Sequence, residues 1–228
     1  MILANNKKYN LFWLGHSGFK IKIGEKVIYI DPYKINDSEI VDKADIILIT
    51  HSHFDHLSQE DIQKIVKPGS KIICTPDCQS KITRINEKID LFLSEPGKEF
   101  VIDEIKIKAI EAYNERKKFH PKNEYWVGYV IQFENLIIYH AGDTDKIKEM
   151  EKLTGYSKKD NQFIILLPVG GNFTMNAEEA ASAASLIKPT LAIPMHYGTI
   201  VGSRTDAENF VRLCEEKGTK AEILEKGK

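Results

Sequence analysis

The sequence predicts an α/β (α+β) fold in which two packed mixed sheets are flanked by helices. Short apolar runs of strand length occur in both halves of the 228-residue chain, and amphipathic helical segments lie between them. The predicted strands are too many for one comfortable sheet, which favours two sheets packed face to face. A chain of this length buries a full core, so we expect one domain over residues 1–228.

The first half of the chain alternates predicted strands with a predicted helix. Gly24-Glu25 is typical of a tight hairpin turn, and Ser58 is placed to cap a helix that Pro68-Gly69 would end. The apolar run directly before His51 is aliphatic and β-branched, which predicts a buried strand. The strands predicted in this half are residues 11–14, 19–23, 26–30, 45–50 and 71–75.

The second half is mainly β-structure with helices towards its end. Asn176 and Glu179 form a capping box for a helix over residues 177–187. Thr205 and Glu208 form a second capping box, which predicts the start of the last helix. The remaining predictions are a short helix over residues 147–153 and strands over 99–102, 105–111, 127–133, 136–140, 163–167, 191–195 and 220–224.

The charge balance and the cysteines exclude several functions. The chain has 32 Lys and Arg residues against 33 Asp and Glu, a net charge of -1, so it lacks the basic excess of a general nucleic-acid coat. It contains no apolar run of membrane-span length and no signal-peptide pattern, so we expect a cytoplasmic protein. Cys74, Cys78 and Cys214 lack the spacing of a zinc clip and are expected to be buried thiols.

Residues 51–56 read His-Ser-His-Phe-Asp-His, and this run points most directly to a function. It holds three of the seven histidines of the chain, beside an aspartate, at the end of a predicted buried strand. Buried unpaired imidazoles are costly, and exposed histidines have no reason to cluster at this spacing. A mixed histidine and aspartate set suits zinc and similar divalent cations. The run therefore predicts a metal site, and four ligand groups on such short tethers favour two ions over one.

The run His-x-His-x-Asp-His resembles the signature of the metallo-β-lactamase superfamily, and the resemblance extends from about residue 11 to about residue 210. Asp143, in Gly142-Asp143-Thr144, resembles the metal-bridging aspartate of the superfamily, and His196 resembles its final ligand histidine. Other segments are similar to the branch of metal-dependent hydrolases related to ascorbate phosphate lactonase. They are residues 15–19 (Gly-His-Ser-Gly-Phe), 30–33 (Ile-Asp-Pro-Tyr), 112–114 (Ala-Tyr-Asn) and 167–171 (Leu-Pro-Val-Gly-Gly).

The resemblance implies an αββα sandwich, which agrees with the two packed sheets predicted above, and a centre of two divalent metal ions along one edge. The ions are expected to be zinc, with manganese or iron as alternatives, and to activate a shared water for hydrolysis. By resemblance, the ligands are His51 and His53 for the first ion, Asp55 and His56 for the second, Asp143 as the bridge, and His196 to complete the second site.

The chain departs from the superfamily pattern at one ligand. The superfamily supplies the third ligand of the first metal as a histidine at the end of a strand in mid-chain, where this sequence has Asn114. An amide oxygen is a weak zinc ligand. His120 lies six residues further on, in a loop long enough to fold back to the metals. We therefore predict that His120 rather than Asn114 completes the first site; the alternative is a loop histidine, a weak first site and a single-metal enzyme.

Four further residues are assigned roles around the metals. Asp55 is the expected catalytic residue, because the resemblance places it where it orients the reacting water and carries a proton to the leaving group. Asp31, at a strand end, is expected to orient a ligand imidazole. His16 either lines the pocket or is a hydrogen-bonded loop histidine, and Tyr197 is placed to donate a hydrogen bond to a reacting oxygen.

Two segments have an anion-binding interpretation and a structural one. The basic residues 116–118, with Lys122, are interpreted as a solvated loop, and the alternative is that they attract an anion into the site. Gly170-Gly171 either leaves backbone amides accessible to an anionic group or forms only a turn.

The sequence therefore predicts a metal-dependent hydrolase that acts on a small, anionic substrate such as a lactone or a phosphodiester. A metallo-nuclease of the same fold is one alternative, although the net charge and the compact length speak against it. A non-catalytic metal-binding module is another, although such a module would have lost ligands that all stand in place here. Neither a nucleic acid nor a membrane is expected as a partner, and a homo-oligomer is compatible with the sequence.

Overall fold

The computed structural model describes residues 9–36, 38, 42–158 and 160–227. These residues divide into two compact units. The first comprises the described residues up to Ser94 together with those from Leu224 onward, and the second is Glu95–Ile223. Each unit contains one six-stranded mixed sheet with its own helices, so the predicted class of two mixed sheets with flanking helices is confirmed. The expected single domain over residues 1–228 stays a prediction.

In the first unit the six strands of the sheet follow one another in chain order. The first three strands pair antiparallel, and the third to sixth strands pair parallel. Each helix of this unit lies in the chain between two parallel strands. The elements are β1 (Tyr9–Gly15), β2 (Gly18–Ile23), β3 (Lys26–Ile30), β4 (Ile46–Ile49), α1 (Gln59–Ile65), β5 (Ser70–Cys74), α2 (Gln79–Ile82) and β6 (Ile89–Leu93).

Strand β4 carries the His-x-His-x-Asp-His loop at its carboxyl end. All four of its side chains are buried, because the strand has parallel neighbours on both sides and is covered on both faces. Directly after β3, the backbone N–H of Asp31 donates to Leu48 O at 3.0 Å. Since β3 and β4 are parallel neighbours, Asp31 and His51 emerge at the same edge of the sheet.

The sequence prediction missed β6. Its residues alternate between half-buried and exposed, as expected for a strand at the edge of a sheet. Asp90 and Phe92 both lie on the exposed face, and 38% of Phe92 is accessible to solvent. An aromatic residue on the outer face breaks the apolar and polar alternation by which such a strand is identified.

The second unit has the sheet order β12-β11-β10-β9-β8-β7, with parallel pairing among the last three strands of the chain and antiparallel pairing among the others. The helix predicted over residues 147–153 is a 3-10 helix at Lys148–Leu153. No helix in the described ranges is long and apolar enough to cross a membrane. The elements are β7 (Glu99–Ile102), β8 (Ile105–Glu111), β9 (Val127–Phe133), β10 (Leu136–His140), β11 (Gln162–Pro168), α3 (Ala177–Ile187), β12 (Leu191–Met195) and α4 (Arg204–Glu216).

The strand predicted over residues 220–224 is wrong, because only Ala221 pairs with β12, in an isolated bridge to Ala192. The N–H of Ala192 donates to Lys220 O at 2.9 Å, and Ala192 O accepts the N–H of Glu222 at 3.1 Å. The next residue of β12 on this side is Pro194, which has no N–H to donate. The ladder therefore ends after one bridge.

Three α-helices begin at a capping side chain. Ser58 accepts the N–H of the third residue of α1, and Asn176 forms the predicted capping box of α3. The predicted cap of α4 at Thr205 is wrong, because the cap is Ser203, whose hydroxyl accepts the N–H of Asp206. The carboxylate of Asp206 reaches back to the backbone N–H of Ser203 at 2.7 Å, so the capping box starts two residues earlier than predicted.

The three cysteines are free and buried, as predicted. Burial raises the pKa of the Cys214 thiol to about 12. The hydrogen bond with Cys74 and burial together raise the pKa of Cys78 far above its ordinary value. The thiols of Cys78 and Cys214 therefore stay protonated at neutral pH, which makes these two residues poor metal ligands.

Replacing Asn176 with alanine is expected to destabilise the second unit by about 1 kcal/mol, because α3 loses the side chain that accepts the Glu179 N–H at 2.9 Å. Urea unfolding followed by circular dichroism measures the change in free energy of unfolding. The matched control is Asn86→Ala, since Asn86 is an exposed asparagine outside the helices. Equal stability of the Asn176 and Asn86 variants would contradict the capping role.

Candidate metal centre

The first unit presents its candidate ligands on a short, fixed loop. Residues 51–56 leave β4 and turn at His53, whose carbonyl accepts the N–H groups of His56 (3.0 Å) and Leu57 (2.8 Å). The Leu57 side chain is buried, and the Lys81 ammonium donates to Ser52 O at 2.8 Å. These contacts hold the loop at both ends, so the imidazoles are positioned by the sheet rather than by a mobile segment.

Asp31 orients His56. Its carboxylate is fully buried and accepts the Thr50 N–H at 2.8 Å and the Thr50 hydroxyl at 2.6 Å. The same carboxylate lies 2.7 Å from His56 Nδ1. A carboxylate accepts and does not donate, so His56 carries its proton on Nδ1 and directs the lone pair of Nε2 away from Asp31. This is the arrangement by which proteins prepare a histidine for a metal.

Thr50 extends the effect of Asp31 to His51. The Thr50 hydroxyl hydrogen is used by Asp31, so the hydroxyl oxygen accepts from His51 Nδ1 at 2.9 Å. His51 therefore also presents an Nε2 lone pair, which lies 3.0 Å from Nδ1 of His53. A single buried carboxylate thus fixes the tautomers of two candidate ligands, one directly and one through a hydroxyl.

His16 holds the carboxylate of Asp55. His16 Nε2 lies 2.9 Å from Asp55 Oδ2, and the His16 carbonyl accepts the indole N–H of Trp13 at 2.9 Å. His16 has a φ of 51°, so the turn that aims it at Asp55 is in the left-handed region that disfavours most side chains. One ligand atom from each of His16, Asp55 and His56 lies within 4.8 Å of the other two. These three side chains form a group able to hold a metal.

The second unit brings two histidines to one carboxylate. Asp143 follows β10, and its Oδ2 lies 3.2 Å from His120 Nε2 and 3.0 Å from His196 Nε2. All three side chains are buried. His120 and His196 are 76 positions apart in the sequence, and Asp143 lies between them. Their meeting therefore follows from the fold of the sheet and its loops, not from closeness in the chain.

The tautomer of His120 is set by a backbone carbonyl. His120 Nδ1 lies 3.0 Å from Phe173 O, which can only accept, and 3.2 Å from the Asn114 amide nitrogen. With its proton on Nδ1, His120 donates to the nearer Phe173 O and directs the Nε2 lone pair towards Asp143. Asn114 buttresses this arrangement: its backbone N–H donates to His120 O at 2.7 Å, and its side-chain amide donates to Phe173 O at 2.6 Å. Its Oδ1 is buried without a hydrogen-bond partner among the described residues.

His196 is held by the backbone around it. It follows β12 with a φ of 58°, and a Cβ added at Gly170 would lie 2.4 Å from the His196 carbonyl oxygen. Only glycine fits at position 170 without moving the histidine. Tyr197, the next residue, is buried. The N–H of Gly171 donates to Met175 O at 3.0 Å, which supports the turn interpretation of Gly170-Gly171 over the anion-binding one.

The basic residues near His120 are used in structural contacts. Lys117 pairs with Asp145 at 2.5 Å and with Glu179 at 3.4 Å. Lys122 donates to Glu149 at 3.1 Å and to the Tyr113 hydroxyl at 3.2 Å. These hydrogen bonds raise the pKa of Lys122. Both lysines stabilise the loop that carries His120, which favours a structural role over attraction of an anion.

Glu149 and Tyr113 form the buried part of this contact. Burial raises the pKa of Tyr113, whose hydroxyl donates to Glu149 at 2.9 Å. Burial would also raise the pKa of Glu149, but hydrogen bonds from its own backbone, from Tyr113 and from Lys122 together lower it. The carboxylate is therefore charged at neutral pH and anchors the loop.

Sequence reasoning missed two groups that orient the ligands. Thr50 had a usable signal, because it stands directly between the predicted strand and His51. Phe173 had none, since it acts through its backbone carbonyl, and which carbonyl reaches a histidine depends on the fold.

The donor set in each unit fits a divalent metal ion. Two ligand atoms that are each about 2.1 Å from one ion lie about 3.0 to 3.4 Å apart in octahedral or tetrahedral geometry. The contacts of Asp143 Oδ2 with His120 and His196 fall at this spacing, and so does the contact of His51 Nε2 with His53 Nδ1. A lone pair next to a carboxylate oxygen is repulsive unless a cation lies between them, so imidazole and carboxylate together suit zinc or a similar cation.

Comparison with known proteins agrees with this chemistry. The family model for the beta-lactamase superfamily domain matches residues 10–196. A UPF0173 metal-dependent hydrolase from Thermococcus onnurineus (strain NA1) is 37% identical over 220 residues, which cover 93% of each protein. The chain belongs to the UPF0173 family of the β-lactamase superfamily. The predicted superfamily is confirmed, and the prediction of a metal-dependent hydrolase is confirmed at the level of the family.

Solved structures extend the agreement to the fold. A protein from Parabacteroides distasonis has a TM-score of 0.81 to this UPF0173 member at 31% identity, covering 96% of this chain and 93% of that one. Igni18, a metallo hydrolase from Ignicoccus hospitalis, has a TM-score of 0.78 at 25% identity, covering 96% and 95%. Both matches span the elements of both units, so the fold class predicted from the sequence is that of known metallo-hydrolases.

Replacing Asp31 with asparagine is expected to weaken zinc binding roughly 10- to 100-fold. The Asp31 carboxylate accepts two hydrogen bonds from Thr50 and one from His56. An asparagine amide has only one acceptor oxygen, so at least one candidate ligand imidazole loses the contact that orients it. Competition with a chromogenic chelator measures the zinc affinity of the variant.

Asp61→Asn is the matched control for this variant. Asp61 is a buried carboxylate of the same unit that accepts backbone N–H groups from Lys34 and Ile35, and its hydrogen bonds within the described residues involve no candidate ligand. Both variants are expected to lower the unfolding temperature of the metal-free protein. An equal loss of zinc affinity in both would show that Asp31 acts only through general stability.

Proposed function

We propose that this UPF0173 member is a hydrolase with a centre of two divalent metal ions. The observation that carries the proposal is the convergence of His120 Nε2 and His196 Nε2 on Asp143 Oδ2, at 3.2 Å and 3.0 Å, inside a buried environment. The proposed ligands are His51, His53, Asp55, His56, His120, Asp143 and His196.

The assignment of the ligands to two ions follows the superfamily pattern. His51, His53 and His120 would hold the first ion, and Asp55, His56 and His196 the second, with Asp143 shared by both. The orientation of His120 supports its place in this set, because Phe173 O occupies Nδ1 and Nε2 is directed at Asp143. The Asn114 side-chain amide donates one hydrogen bond to that same carbonyl, which supports a role in positioning His120.

Zinc is the proposed metal, because imidazoles make up most of the ligand set and three of them, His51, His56 and His120, have a ring nitrogen held by an acceptor. Manganese and iron are the alternatives, since the two carboxylates also suit harder cations. Ions held in this way lower the pKa of a water to about 7 and polarise the bond to be cleaved.

Asp55 is the proposed catalytic residue. Its Oδ2 faces His16 Nε2 at 2.9 Å and His56 Nε2 at 3.7 Å, and its side chain is 11% exposed. A carboxylate that is held by one histidine and still reaches solvent can accept a proton from the attacking water and pass it to the leaving group. His16 would keep Asp55 at this angle, and Asp31 with Thr50 would keep His51 and His56 directed at the metals.

The proposed substrate is a small anionic molecule with a lactone or phosphodiester bond. The support comes from the similarity of several motifs to the lactonase branch of the superfamily and from the absence of a basic excess, with a net charge of -1. Lys117 and Lys122, in the basic segment considered above for attraction of an anion, form ion pairs with carboxylates of their own unit, which speaks against a nucleic-acid phosphate as their partner. The cytoplasmic location and the oligomeric state stay predictions.

Elemental analysis of protein purified without chelators is expected to find about two divalent ions per chain. His120→Ala is expected to retain about one, because the first site loses its third ligand, whereas Asn114→Ala is expected to retain most of both ions at reduced occupancy. If Asn114→Ala loses one ion and His120→Ala keeps both, the assignment of His120 is wrong. Complete absence of metal, with no activation by added zinc or manganese, would overturn the proposed function.

Asp55→Ala is expected to lose on the order of a hundredfold or more in turnover, the usual effect of removing a positioned acid or base. The substrate for this assay comes from a screen of lactones, phosphodiesters and thioesters with the zinc-loaded protein. Circular dichroism checks that the fold is unchanged, and Asp90→Ala, an exposed aspartate on β6, is the control. Near-normal turnover of Asp55→Ala would show that another residue moves the proton, and a metal-loaded protein inactive on every class would favour a non-catalytic module.

A further inference from the structure

Large apolar side chains are exposed beside the proposed metal ligands. Phe54 is 64% exposed and stands in the chain between His53 and Asp55, and Phe119 is 52% exposed and directly precedes His120. Exposure of a phenylalanine ring to water is unfavourable in free energy, so two exposed rings next to proposed ligands require an explanation. The large apolar residues that are exposed in the described ranges are Phe54, Phe92, Val101, Phe119, Tyr125 and Ile200.

In the first unit Phe54 is one half of an aromatic pair. Its ring lies edge-on to Tyr33, with the centroids 6.0 Å apart. The Tyr33 ring in turn meets His16, the partner of Asp55, with a centroid distance of 6.0 Å. This first aromatic pair, Tyr33 and Phe54, therefore connects by ring contacts to the side chain that holds the proposed catalytic carboxylate.

The second unit repeats the arrangement with different residues. The rings of Phe119 and Phe173 lie edge-on with centroids 4.6 Å apart. Phe173 is the residue whose carbonyl fixes the tautomer of His120. This second aromatic pair, Phe119 and Phe173, is thus built onto the same short segments that orient a proposed ligand, and it leaves the Phe119 ring half exposed.

Edge-on aromatic pairs are rigid and can bind hydrocarbon without losing much conformational freedom. Ligand sites in proteins are lined mainly by apolar and aromatic side chains, with a few polar groups that fix orientation. An apolar patch that is tied to each cluster of ligands suits a substrate whose scissile bond is polar and whose remainder is not. Scattered exposed apolar residues have no such ties, and Phe92 on β6 and Val101 on β7 are examples in this chain.

We infer that each aromatic pair offers a binding surface for an apolar part of the substrate, a hydrocarbon chain or an aromatic ring, beside the proposed ligands of its own unit. This inference rests on the proposed function and narrows it, from any small anionic lactone or phosphodiester to those that carry such a substituent. Each methylene buried against the rings would raise affinity about three- to fourfold.

Binding of two hydroxamates to the zinc-loaded protein tests the inference without turnover. Acetohydroxamate and octanohydroxamate share the metal-binding head and differ by six methylenes, so their affinity ratio, measured by isothermal titration calorimetry, reports only on the tail. We expect octanohydroxamate to bind on the order of a hundredfold more tightly, since part of the chain is buried. Equal affinities would overturn the inference and leave the proposed function in place, whereas failure of both hydroxamates to bind would overturn both.

Variants locate the tail-binding surface. Phe54→Gln and Phe119→Gln are expected to lower the affinity ratio about five- to tenfold each, and Phe54→Leu to restore most of it because leucine keeps the apolar surface. Phe92→Gln in the first unit and Val101→Gln in the second are matched controls, since both side chains are exposed and distant in sequence from the proposed ligands. A ratio that falls equally in the controls, or in neither phenylalanine variant, would overturn the inference.

Discussion

An acceptor that holds one ring nitrogen of a buried imidazole orients the other nitrogen towards a metal, and three of the candidate ligands depend on this constraint. In the first unit Asp31 satisfies it for His56 at 2.7 Å and, through the Thr50 hydroxyl, for His51 at 2.9 Å. In the second unit a backbone carbonyl, Phe173 O, satisfies it for His120 at 3.0 Å. The two arrangements differ in the substitutions they tolerate. The first requires a carboxylate at position 31 and a hydroxyl at position 50, whereas the second depends on the backbone position of residue 173 and not on its side chain.

Backbone strain occurs at three residues of the candidate site. Eight described residues other than glycine have a positive φ, and His16, Asp31 and His196 are among them, with values of 51°, 43° and 58°. Each of these conformations costs on the order of 1 kcal/mol or more for a residue with a side chain. Glycine would remove that cost, but it would also remove the imidazole or carboxylate. The chain thus keeps strained side chains of the candidate site where its strands end, and the surrounding sheets supply the stability that holds them.

The sequence predicted the parts of the fold that follow from local patterns. The aliphatic run of β4, the capping box at Asn176 and the buried cysteines are properties of a few neighbouring residues, and all three were predicted correctly. The errors at β6, at the start of α4 and at residues 220–224 have a different origin. The aromatic side chain of Phe92 lies on an outer face, and Ser203 and Thr205 both stand three residues before an acidic residue, so the local pattern does not identify the strand or the cap. The candidate site divides in the same way, because the histidine cluster is visible in the sequence and the role of Phe173 O is not.

The proline within β12 has a consequence for how the protein behaves at high concentration. β12 is the last strand of its sheet, and beyond its single bridge to Ala221 the next backbone position on that side, Pro194, offers no N–H. Unprotected sheet edges are templates onto which a strand from another molecule can add, the first step of many aggregation reactions. A missing donor at the fourth position of this five-residue strand interrupts that template. Pro194, which ends the pairing of β12 with residues 220–222, therefore also limits the addition of a foreign strand at this edge. It lies two residues before His196.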